Sequence, residues 1–206
     1  MKEQLIGILL SVMAGCIIMI LHELPKSLVY YAMNRKNGNQ HVSQFMKLHK
    51  YIDPVGLLFC AAAYAGFSKP YMYRIKEKKV NLILGITGFV SLICIFGVSL
   101  GVLNIGFGGR AGEILTAKYQ SEREMMNAAL PVLFWLNMSM ISLGTVFVNL
   151  FPVSTFDLGL IVAGRSPARY LSIIKNDYFI KLILILALAV GIISSICGQI
   201  LNYLIL

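Results

Sequence analysis

His22 and Glu23 stand side by side near the end of a long apolar run, L-I-G-I-L-L-S-V-M-A-G-C-I-I-M-I-L-H-E-L-P-K-S-L-V-Y-Y-A-M, and Lys26 follows within one helical turn. An imidazole, a carboxylate and an ammonium are costly inside hydrocarbon, so three of them in one such run mark a functional site. The chemistry open to a His-Glu pair is metal-assisted: the imidazole ligates a metal and the carboxylate takes a proton from metal-bound water. A helix that grips one ion in this way needs a second histidine four residues after the first, because residues four apart share a face. Lys26 occupies that position, and a protonated ammonium has no lone pair to offer.

The elements that carry these residues follow from composition. The 206 residues are 58% hydrophobic and only 13% charged, with a mean hydropathy of +0.77, which excludes an ordinary soluble domain. The apolar runs lack the period-two alternation of a membrane barrel. An all-α polytopic membrane protein is expected, built as a single domain over residues 1–206. Runs near the roughly 20 residues needed to cross a bilayer predict full spans at 4–33, 81–104, 129–151 and 178–206. A fifth apolar piece, residues 55–67, is too short to cross and reads as re-entrant or membrane-dipping. The first run is too long for a signal-peptide core and reads as a retained helix.

The formal net charge of +9 sits in short loops, as the positive-inside bias requires, so no nucleic-acid partner is inferred. Arg35, Lys36, Lys47 and Lys50 precede the short piece and Lys69, Arg74, Lys76, Lys78 and Lys79 follow it, so a re-entrant piece keeps both groups on one side. The charges of residues 105–127 balance, as an outer loop should, and the glycine-rich stretch 106–112 reads as flexible there. Both chain ends are then expected outside. Cys16, Cys60, Cys94 and Cys197 fall in separate apolar segments without C-x-x-C spacing and read as buried thiols. His41 and His49 lie in the basic loop and read as solvated. Asp53 before Pro54 has the form of a helix cap, with a ligand role as the alternative. After the third span the chain reads N-L-F-P-V-S-T-F-D, apolar and Pro-broken, and can fold back inside the bundle to bring Asp157 to the His-Glu pair.

H-E-L-P-K-S at residues 22–27, Y-I-D-P-V-G at 51–56, G-F-S-K-P at 66–70 and N-L-F-P-V-S-T-F-D at 149–157 occur in one order along the chain. In that order they resemble the motifs H-E-x-x-H, H-I-D-P-x-G, G-W-A-K-P and N-x-x-P-x-x-x-x-D-G of the site-2 proteases, the intramembrane zinc metalloproteases of compact bacterial type. The resemblance spans residues 19–164. It implies a site-2 protease-like bundle in a bacterial plasma membrane and a partner that presents a transmembrane segment. It also implies zinc held by His22 and Asp157, Glu23 as general base, and Asn149 and Pro152 shaping the turn that presents Asp157. Asp53, Pro54 and Gly56 carry the second motif.

The departures from the family pattern are concentrated at the metal. Lys26 replaces the second histidine, Pro25 removes the helical bond to the Leu21 carbonyl and should kink that turn, Leu158 follows Asp157 where the family has Gly, Tyr51 replaces a His, and Leu92 ends the stretch in which only Gly88 and Ser91 match A-G-P-x-S-N. Two expectations stand side by side. One is an endopeptidase that cuts membrane helices with zinc and a substitute third ligand. The other is a pseudoprotease that binds such helices as a scaffold or regulator. In the second, Lys26 supplies the positive charge of the missing metal and pairs with Asp157 or Glu23.

Overall fold

The computed structural model describes residues 2–34, 47–70, 77–119 and 121–205. Those residues form α1 (Lys2–Asn34), α2 (Pro54–Ala63), α3 (Lys78–Gly101), α4 (Ala111–Thr116), α5 (Glu122–Asn149), α6 (Asp157–Arg165), α7 (Pro167–Ala189) and α8 (Ile192–Leu204), with no strand among them. His41 and residues 74–76 of the basic run lie outside the described residues.

Three helical stretches are long and apolar enough to cross a membrane: Gln4–Met33, Lys78–Gly106 and Arg123–Asn149. A fourth is available only as the pair α7 and α8, bent by 55°. The helical part of the expected span 178–206 lies within that bent pair. Helix begins eleven residues earlier, at Pro167, whose ring suits a first helical position. It breaks at Gly191, which has φ 77°, a backbone state that glycine adopts without a Cβ penalty. The helix α1 continues through Pro25 as one element; a proline is tolerated in a membrane-grade helix when its neighbours re-satisfy the freed backbone.

The short piece behaves as its length requires. Helix α2 covers ten residues, ends at Tyr64 in the left-handed region (φ 49°), and the chain then returns extended, so that Lys69 N–H donates to Tyr51 O at 3.0 Å. Its beginning and end thus lie together. Asp53 caps α2: its Oδ1 accepts from Val55 N (2.9 Å) and Gly56 N (3.0 Å), with Pro54 at the first helical position. We expect Asp53→Ala to lower stability by about 1 kcal/mol and Asp53→Asn to retain most of it, as judged by thermal midpoints in detergent. Equal loss in both variants would assign Asp53 a role other than capping.

Helix α3 is central, packed against α1, α5 and α6. One core cluster joins Ala14, Ile18, Met19, Cys60, Leu92, Met138 and Ile141, and a second joins Val148, Val153 and Phe156 to Leu184, Leu188 and Cys197. The cysteines are all free, but only Cys60 and Cys197 are buried; Cys94 is exposed and Cys16 partly so, which corrects the expectation of four buried thiols. The glycine-rich stretch makes a turn with Gly108 and Gly109 at positive φ and leads into α4, so it is more ordered than a featureless loop.

Candidate functional site

Helix α1 carries His22, Glu23 and Lys26 on its inward face, and all three are buried. His22 lies about 18 Å along the helix from Asn34, at 1.5 Å per residue. The chain after α5 turns back, as its apolar and Pro-broken sequence predicted. Asn149, the last residue of α5, donates from Nδ2 to Thr145 O (2.9 Å) and accepts at Oδ1 from Asp157 N (3.3 Å), tying the two ends of the turn. Pro152, without an N–H to continue the helix, sits exposed in that turn. Asp157 becomes the first residue of α6, where the positive end of the helix dipole favours a carboxylate, and it is 0% exposed.

The four ionisable groups meet. Lys26 Nζ donates to Glu23 Oε1 at 2.6 Å and to Asp157 Oδ1 at 3.0 Å. His22 Nε2 lies 2.7 Å from Asp157 Oδ2, and its Nδ1 lies 2.8 Å from Ser68 Oγ, which itself donates to Glu23 Oε1 at 2.7 Å. The chain of bonds closes on itself: Lys26, Glu23, Ser68, His22, Asp157 and back to Lys26. The roles of the two ring nitrogens depend on the histidine's tautomer, whereas the Lys26 ammonium faces two carboxylates in either case. A buried charge is tolerable only when paired and hydrogen-bonded in this way.

Backbone packing holds the ring's place. Helix α3 passes the site with Gly88, where a Cβ would overlap the Asp157 carboxyl group, and Ser91 on the same face donates to Gly88 O at 2.8 Å and reaches the His22 carbonyl at 3.5 Å. These are the two residues of that stretch that match the family pattern.

The donor set does not fit zinc. The third position holds an ammonium within 3.0 Å of both carboxylates, which would repel a divalent cation from them. Of the Glu23 carboxylate, Oε1 already accepts from Lys26 and Ser68.

Of the other sequence-stated residues, Asp53, Pro54 and Gly56 lie at the start of α2 and make no bond to the ring among the described residues; they set the α2 hairpin, since a Cβ on Gly56 would strike the Phe67 carbonyl. That contact presses the returning strand of chain against α2 and so positions Ser68. His49 is exposed and takes no part. Ser68 is the member that sequence reasoning missed. Its only signal was its place in G-F-S-K-P, where the family motif has Ala.

No protein-family model, curated protein or solved structure matches the chain.

Proposed function

We propose that this chain is a site-2 protease-like membrane protein in which the Lys26 ammonium stands in for zinc, and that it binds the transmembrane segment of a partner without hydrolysing it. The observation that supports this reading is the position of Lys26 Nζ, shared between Glu23 and Asp157 at 2.6 and 3.0 Å with its side chain almost wholly buried. Peptide hydrolysis of the metalloprotease kind needs an open coordination position and a carboxylate free to take a proton. Here the cation is tethered, has no open position, and occupies that carboxylate. Four motifs in family order support shared architecture, and the departure at residue 26 supports loss of the metal.

Metal content tests it. Protein purified in detergent without chelator is expected to carry far less than one zinc per chain, whereas Lys26→His, which restores an imidazole one turn from His22, is expected to take up zinc. Near-stoichiometric zinc in the wild-type chain that disappears in His22→Ala would overturn the reading. So would cleavage of a membrane-helix peptide in proteoliposomes that is abolished by Glu23→Gln.

A further inference from the structure

About 22 Å along α1 from His22, near Gly7, the bundle contains a cavity of about 450 Å³. It lies where α3, α5 and α8 all reach one end of the bundle: Asn104, just beyond α3, donates to Leu204 O at 3.1 Å, and Ser11 donates to Asn137 Oδ1 at 3.0 Å. Along α5 its wall runs from Val132 to Met140, eight residues or about 12 Å.

It is a cleft and not a closed void: exposed Tyr64, Gly112 and Asn202 line it, so it is open to whatever surrounds the bundle. Water is a poor occupant, because each molecule needs two to four polar partners, and most of the wall is hydrocarbon from Leu103, Leu115, Val132, Leu136 and Leu201. A single hydrocarbon chain fits the chemistry of that wall.

Two carboxamides add a polar requirement. Asn202 is exposed at the rim near the end of α8. Asn137 is buried; its Nδ2 donates to Leu133 O at 2.8 Å, which uses one of its two amide hydrogens and leaves the other unpaired among the described residues. Donors beside an apolar slot suit an ester carbonyl at the head of an acyl chain. With the long apolar helices standing in a bilayer, the slot runs from the interface toward the midplane, parallel to the chains of one leaflet.

We propose that this cavity is a binding site for one acyl chain of a phospholipid, with its ester group beside Asn202 at the rim. The assignment is independent of the reading of the Lys26 ring. The walls allow a clean test. A Cβ on Gly7 or on Gly198, both at the cavity, meets no atom within 4 Å, and the same holds for Gly97, which lies on α3 outside it. Gly198→Leu and Gly7→Leu should therefore fill the slot without disturbing the fold, and Gly97→Leu serves as the control. Native mass spectrometry of gently purified protein is expected to show one retained phospholipid on the wild-type and Gly97→Leu chains, and at least a tenfold lower retained fraction on each filled variant. Absence of the adduct from wild type, or equal retention in both filled variants with unchanged helical content, would overturn the assignment.

Discussion

Lys26→Ala is expected to cost about 3–5 kcal/mol of stability, the range for removing one partner from a buried ion pair. The loss arises less from the two hydrogen bonds than from what they leave behind. Glu23 and Asp157 would face each other without the ammonium between them, beside His22 in a region with almost no solvent contact. The informative comparison is the double variant Lys26→Ala, Asp157→Asn. Removing the Asp157 charge leaves one buried carboxylate in place of two, with His22 Nδ1 3.4 Å from Glu23 Oε1. The double variant should therefore be more stable than the single, and the two changes should depart from additivity by about 1–3 kcal/mol, as for residues in direct contact. Thermal or denaturant midpoints in a fixed detergent measure both. If the double variant is as unstable as the single or worse, Lys26 is not the partner of Asp157 in any energetic sense, and the ring is only a geometric coincidence.

On the proposed site-2 protease-like reading, the ring holds the architecture together with a lysine where that family has a metal ligand. A zinc ion between a histidine and an aspartate neutralises charge and draws separate helices together; a lysine amine on a flexible stem can do both while remaining covalently part of α1. The stem matters because Lys26 reaches from α1 across to the start of α6, a sequence separation of 131 residues. Ser68 then supplies what an alanine could not, a hydroxyl between His22 Nδ1 and Glu23 Oε1. The departures at 26 and 68 thus converge on one carboxylate oxygen.

Much of this was legible in the sequence because membrane length and charge placement are coarse constraints that tolerate no compromise. Thirteen apolar residues are too few to cross a bilayer, and the two ends of that piece meet; a Pro-broken apolar turn ending in Asp157 could fold inward, where a carboxylate finds partners that lipid lacks. Other features depend on contacts that no local pattern encodes. In hydrocarbon both faces of a helix are apolar, so periodicity did not reveal that Cys94 faces outward, or that the last helix begins at Pro167 and bends at Gly191. Ser68 was invisible for a related reason. A serine in an extended stretch has many ordinary uses, and only the packing of Gly56 against Phe67 brings it to Glu23.

Gly88→Ala is the second substitution expected to have a large effect, and it reads the site from the opposite side. A methyl group there would overlap the Asp157 carboxyl group, and the obstacle is not a free side-chain end, because both carboxylate oxygens are bonded, one to Lys26 and one to His22. Either α3 moves away from α6, its most extensive packing partner, or Asp157 rotates out of the ring. Overpacking of this kind costs about 1–3 kcal/mol, and displacement of the carboxylate adds part of the ion-pair loss argued for Lys26. In the same helix Gly97→Ala meets nothing and should be neutral or slightly stabilising, since alanine is the better helix former. The two mechanisms separate when Gly88→Ala is combined with Asp157→Ala: if the carboxyl group is the obstacle, removing it makes the added methyl nearly free, and the double variant is no less stable than Asp157→Ala alone. A Gly88→Ala chain with a wild-type midpoint would show that α3 does not hold Asp157 against Lys26.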